Sequence, residues 1–228
     1  MNNSLHGISS MATRQVLNDL VADWRHFGGL ISFESVGGLD AIKRVQGGEK
    51  FDVVVLAADA IDQLVQAGLI IADSKTDLVR SAVAVAVRAG APRPAIDTAE
   101  ALRAAVLSAR TIGLSSGPSG IALQALLERW QIGAPRGPRI VQAAPGIPVG
   151  ALIARGEVEM GFQQLSELMH LNDIDIIGPM PPGLEIVTTF SGGVCTTSTQ
   201  PDAARVMLDF VCSPLADAAK WRHGMQPV

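Results

Sequence analysis

The sequence predicts an α/β fold, and three observations carry that reading. Short apolar runs alternate with stretches whose apolar residues recur at helical spacing, as Val16, Leu17, Leu20, Val21 and Trp24 do. The run Val53-Val54-Val55 is β-branched without polar alternation, which suits a strand buried on both faces. A chain of 228 residues with 48% hydrophobic content can bury a substantial core, in one large domain or two small ones.

Taken in order, Leu5 to Ile8 reads as a strand, Met11 to Trp24 as a helix and Leu30 to Phe33 as a second strand. Gly37-Gly38 precedes a short helix ending near Gly47-Gly48, and Phe51 to Leu56 is the next strand. Ile61 to Ala67 is helical, with Gly68 as a C-cap and Asp59 as an N-cap or a polar contact. Leu78 to Val87 is a long extended run. Asp97-Thr98-Ala99-Glu100 resembles a capping box with the acid at N-cap. Thr111 to Leu114 is a strand and Ile121 to Trp130 a helix, with Pro118 at N1 and Gly117 at N-cap. Ile140 to Gln142 follows as a strand, Pro148 opens a helix reaching Ala154, and Val158 to Phe162 is a strand ahead of Gln163-Gln164. A helix to about His170, strands Ile174 to Ile177 and Glu185 to Phe190, and helices opened by Pro201 and Pro214 complete the chain.

Composition removes several classes of function. The formal charge of −4, with no basic run, argues against nucleic acid as a partner. Aromatic residues make up 4% and Tyr is absent, so stacking platforms are scarce. No apolar run approaches the ~20 residues of a membrane span, so no membrane insertion is expected. Met1 to Gly7 has neither a basic stretch nor a long apolar one; as it stands the sequence reads as cytoplasmic, and as periplasmic if a leader has been removed. Cys195 and Cys212 read as buried small hydrophobes, and the four histidines match no zinc spacing. With no nucleotide fingerprint or catalytic triad either, no cofactor and no metal are expected.

The most informative stretch is Ser115-Ser116-Gly117-Pro118-Ser119-Gly120, set between an apolar run and a helix. Hydroxyls and free backbone N–H groups at a helix start can hold an anion without any lysine. Ser9-Ser10 sits in a similar strand-to-helix context. For both stretches, plain helix capping and ligand contact are the two readings, and small residues favour contact because bulky ones would block approach to the backbone. Gly37-Gly38 either lets a ligand touch the main chain or serves a tight turn. Ala58 follows the central strand, and Gly146 precedes a further helix start that can offer N–H groups. Gln163 and Gln164 supply neutral amides; as strand-end neighbours they point oppositely, one toward a ligand and the other toward solvent. A carboxylate ligand usually calls for an arginine, and Arg14, Arg80 and Arg88 are the available suppliers, each more readily a surface residue.

The order of elements resembles the periplasmic-binding-protein-like type II fold, in its molybdate-binding-protein-like branch, over essentially the whole chain. The resemblance rests on Ser9-Ser10-Met11 at the first helix start and on Gln46-Gly47-Gly48 leading into Phe51 to Asp59. Gly156 to Phe162 adds a later strand before a ligand-contacting turn. The chain departs from the pattern at Gly37-Gly38, where a hydroxyl-rich turn is often found, and at Gln163-Gln164, where relatives often carry a tyrosine. The resemblance implies two Rossmann-like lobes joined by two crossing strands, lobe 1 being residues 1–80 plus 188–228 and lobe 2 residues 81–187. It also implies a solute-binding protein that captures a small oxyanion or organic carboxylate by hinge closure, serving an ABC transporter permease if exported. The alternative on the same scaffold is an isomerase that shifts a double bond in an unsaturated carboxylate such as aconitate. Its base would be Asp59 or Glu34.

Overall fold

A computed structural model describes residues 4–133 and 137–228, and the chain divides into two compact units. The first comprises the chain up to Ser81 together with Thr188–Val228, and the second is Ala82–Val187.

The first unit opens with β1 (Leu5–Ser10), a 3-10 turn at Met11–Thr13 and α1 (Arg14–His26). Then come β2 (Ile31–Val36), α2 (Gly38–Gln46), β3 (Val53–Ala57), α3 (Ala58–Gln66) and the first half of β4 (Thr76–Arg88). β1 lies between β2 and β3 and runs parallel to both. β3 shows why this sequence forms a central strand. Val53 and Val55 join the core cluster that contains Leu17, Leu20 and Met207, while Val54 and Leu56 join the one that contains Ile8, Ile61 and Leu64. Alternate side chains thus feed two apolar layers, and both faces of the strand are buried.

The second unit takes the rest of β4, then α4 (Ala99–Ser108), β5 (Thr111–Leu114), α5 (Pro118–Arg129), β6 (Arg139–Gln142) and α6 (Val149–Ala154). β7 (Met160–Gln164), α7 (Leu165–Leu168) and β8 (Ile174–Pro179) complete it. β5 is parallel to β6 and β7, whereas β4 runs antiparallel to β7 and β8. β4 repeats the two-layer device: Val83, Val85 and Val87 enter one cluster with Phe162 and Leu123, and Ala84 and Ala86 enter another with Val149 and Ile153. The chain then returns to the first unit with β9 (Val187–Val194), antiparallel to β3, followed by α8 (Pro201–Cys212), α9 (Asp217–Arg222) and β10 (Met225–Pro227), antiparallel to β4.

Several sequence expectations are corrected here. Asp59 is not the N-cap of α3; the helix starts two residues earlier than expected, Ala57 holds the cap, and Asp59 lies exposed in the first turn. Thr98 rather than Asp97 caps α4, its Oγ1 accepting from Ala101 N at 3.1 Å. Pro148 is the N-cap of α6, not its first residue. Cys195 is buried but Cys212 is exposed, and both are free thiols. Burial pushes the Cys195 thiol up to about 12, so it is inert at neutral pH. β7 begins later than expected and takes in both glutamines, which is why neither faces solvent: Gln163 is 2% exposed and Gln164 3%.

Candidate functional site

In the first unit, the parallel register pairs Ser10 with Val36 and Ser9 with Val55. The C-terminal ends of β1, β2 and β3 therefore share one edge of the sheet, bringing Ser9-Ser10, Gly37-Gly38 and Ala58 together. Ser9 is fully buried and its Oγ lies 2.8 Å from Ser35 Oγ. Ser10 is 8% exposed, and its Oγ has no hydrogen-bond partner among the described residues. Leaving a buried hydroxyl unsatisfied costs about 1–3 kcal/mol, so an orphan of this kind calls for a partner from outside the chain. Plain capping does not explain it: Ser10 makes no side-chain cap, and Thr13 Oγ1 instead donates to the Ser10 carbonyl at 3.1 Å. The N-caps of α2 and α3, Gly37 and Ala57, carry no side-chain acceptor, so no cap side chain occupies the first-turn N–H groups at this edge, although Asp40 N is taken by the Gly37 carbonyl at 2.9 Å. A Cβ on Gly38 would meet nothing within 4 Å.

In the second unit, Leu114 pairs with Phe162, so Ser115-Ser116 leave β5 at the same end of the sheet where Gln163-Gln164 close β7. Pro118 is N1 of α5 and Gly117 its N-cap. Ser115 Oγ and Ser119 Oγ lie 3.0 Å apart and satisfy each other, while Ser116 is half-buried. Gly120 is the residue this turn cannot exchange, since a Cβ there would stand 1.8 Å from the Ser115 carbonyl oxygen. Gly120→Ala is expected to lower stability by about 1–3 kcal/mol or more by forcing the turn open. Urea unfolding measures this, and an unchanged midpoint would contradict the turn geometry.

Gln163 anchors a polar relay on the α6–α7 side of β7. Its Oε1 accepts from Gly150 N at 3.2 Å, and its Nε2 donates to Glu167 Oε1 at 2.8 Å. Glu167 keeps part of its surface open, yet its carboxyl is enclosed, and burial pushes it up to about 7 against the lowering effect of the Gln163 amide. One N–H of the α6 start is thus spent on Gln163. Gly146 lies apart from the relay, in an exposed turn at φ +77°.

The two acids singled out as bases stand differently. Arg44 grips both oxygens of Glu34, at 2.6 and 2.8 Å, and holds its carboxyl below the usual range. Asp59 is solvent-exposed. Sequence reasoning missed Ser35 and Glu167. The signal for Glu167 was the i, i+4 spacing from Gln163 across a strand end, which looks unremarkable until both residues are known to be enclosed. Among the described residues, no group of three or more His, Cys, Asp or Glu could hold a metal ion, and no helix is long and apolar enough to cross a membrane.

A two-unit α/β chain with hydroxyl- and amide-lined strand ends fits the class of proteins that bind small solutes, and comparison with known families agrees. The family model for bacterial extracellular solute-binding proteins matches residues 5–226, and the chain belongs to that family. Among characterised relatives, it is 38% identical over 186 residues to an aconitate isomerase from a Pseudomonas species, covering 81% of this chain and 71% of that protein. Among solved structures, it is similar to the periplasmic molybdate-binding protein of Azotobacter vinelandii, with a TM-score of 0.76 and 17% identity over 97% of this chain and 98% of that one. It is also similar to the tungstate ABC transporter structure from Geobacter sulfurreducens, with a TM-score of 0.73 and 17% identity over 95% and 98%. These structural likenesses confirm the periplasmic-binding-protein-type α/β fold.

Proposed function

We propose that this solute-binding protein captures a small organic carboxylate through neutral hydrogen-bond donors. The observation that carries the reading is the buried Ser10 hydroxyl, without a partner among the described residues, at the sheet edge where Ser9, Gly38 and Ala58 also gather. An anion accepts from hydroxyl and N–H donors alike, and an enclosed site strengthens each such bond. The carboxylate class is supported by the 38% identity to an aconitate isomerase, against 17% to the molybdate- and tungstate-related structures. Arg14, exposed at the first turn of α1 just beyond Ser10, can add a cation for a carboxylate group. In an exported protein, captured ligand would pass to an ABC transporter permease.

Ser10→Ala is expected to weaken ligand binding by roughly 1–3 kcal/mol while leaving the fold intact. The check is a thermal-shift panel of molybdate, sulfate, citrate, cis-aconitate and trans-aconitate on the wild type and the variant. Stabilisation by an organic acid that the substitution diminishes supports the reading. Unchanged affinity would mean that the ligand binds elsewhere, and stabilisation by molybdate alone would remove the carboxylate.

A second reading, favoured by the enclosed Glu167 carboxyl and by the isomerase relative, is that the bound acid is also transformed. Moving a double bond along an unsaturated carboxylate needs one proton carrier and donors for the developing enolate.

A further inference from the structure

We propose that Thr13 is a positioning residue of the ligand site at the Ser10 edge: its hydroxyl fixes the Ser10 main chain, so that the Ser10 hydroxyl serves the ligand instead of capping the helix start. The proposal rests on the carboxylate-binding reading above and lies wholly within the first unit.

The junction Ser10-Met11-Ala12-Thr13 carries a hydroxyl at each end, and both sit at capping positions. Ser10 is the N-cap of the 3-10 turn Met11–Thr13, and Thr13 is the N-cap of α1. Serine and threonine at such places ordinarily accept from a first-turn N–H. Neither side chain does so here. Thr13, 1% exposed, instead donates backwards from Oγ1 to the Ser10 carbonyl at 3.1 Å. Each position thus forgoes a stabilising cap, and a local rule set aside at adjoining helix starts is the mark of a segment shaped for function.

The geometry shows what the Thr13 bond achieves. Ser10, at φ −71° and ψ 156°, keeps the extended backbone of β1 to its last residue. Side chains alternate along a strand, so Ser10 shares the face of Ile8, which packs with Ala41 and Val45 of α2 and with Ile61 and Leu64 of α3. The Ser10 hydroxyl is therefore directed to the side of the sheet on which those two helices begin. On the opposite face Ser9 Oγ lies 2.8 Å from Ser35 Oγ, which ties the preceding residue to β2. Thr13 holds the carbonyl on the other side of Ser10. Rotating that peptide toward the helix would break the Thr13 bond, so Ser10 is bracketed, its hydroxyl buried without a partner among the described residues. Holding a donor ready in this way removes an ordering cost from binding.

Isothermal titration of the full chain with trans-aconitate tests the role. The proteins compared are wild type, Thr13→Val, Thr13→Ser, Ser10→Ala, and the variant carrying both Ser10→Ala and Thr13→Val. Valine keeps the shape of threonine without the donor, and serine keeps the donor. Thr13→Val is expected to weaken binding by about 3- to 10-fold, the effect of one ordinary hydrogen bond, while Thr13→Ser stays within about twofold of wild type. In the Ser10→Ala background Thr13→Val should change affinity by less than about twofold, because the group it positions is gone. Wild-type affinity in Thr13→Val, with Ser10→Ala weakened, overturns the positioning role and leaves the Ser10 site standing. An equal loss from Thr13→Val with and without the Ser10 hydroxyl also overturns it, since the effect then runs through the fold. Affinity indifferent to Ser10→Ala, or no binding of trans-aconitate to wild type, overturns the site and the positioning role together. If Thr13→Val does not fold, Thr13→Ser decides: affinity within about twofold of wild type supports the proposal, and a larger loss overturns it.

Discussion

Glu167→Gln is expected to stabilise the second unit at pH 8 by about 1–3 kcal/mol relative to its effect at pH 4.5. The native carboxyl is raised from 4.5 to about 7, so the folded state binds its proton more tightly than the unfolded chain does. Stability from this group is fully present below about 4.5, falls as pH rises through the window, and levels off above about 7. Glutamine does not titrate, keeps an oxygen for the Gln163 amide and removes that loss. The full shift corresponds to about 3 kcal/mol, and the partly open surface of Glu167 places the expected gain toward the lower part of the range. For a unit of this size, the change should move the melting temperature by several degrees at pH 8. Taking the difference between variant and wild type at each pH cancels the other titrating groups. A difference that stays constant from about pH 4.5 to 8 would contradict the enclosure of the carboxyl.

Gly38→Asp should have opposite effects on fold and function. Gly38 is the first residue of α2, and a Cβ there meets nothing within 4 Å, so an aspartate fits. Negative charge in the first helical turn is favourable by about 0.3–1 kcal/mol, so the variant should be as stable as wild type or slightly more so. The same carboxylate would occupy the N–H groups offered to an anionic ligand and repel it. Affinity should therefore fall by about 100-fold or more. Calorimetric melting and ligand titration on one preparation separate the two effects. Retained affinity would place the ligand away from the edge formed by Ser10, Gly38 and Ala58.

The comparison of sequence with structure divides along physical lines. The strands were legible because burial on both faces writes continuous apolar runs, as at Val53–Ala57 and Val83–Val87. Helix starts marked by Pro118 and Pro201 were legible because proline's fixed φ and missing N–H suit N1, although the same signal misplaced Pro148 by one position. Exact caps were not. At Asp97-Thr98 and Ala57-Ala58-Asp59, adjacent residues can all serve, and tertiary packing chooses among them. The serine-rich edges were visible as composition, but their states were not. That Ser115 and Ser119 satisfy each other while Ser10 has no partner among the described residues depends on distances no spacing encodes. Glu167 was invisible for the same reason: its chemistry comes from enclosure and from the Gln163 amide, both of them products of the fold.

Capture of a small organic carboxylate at the Ser10 edge is tested most directly by isothermal titration of the wild-type protein and Ser10→Ala with trans-aconitate and, separately, with molybdate. The account predicts saturable one-to-one binding of the organic acid, weakened by about 5- to 150-fold in Ser10→Ala, with little or no heat from molybdate. Tight molybdate binding with no response to the organic acid, or an organic-acid affinity indifferent to Ser10→Ala, would contradict it.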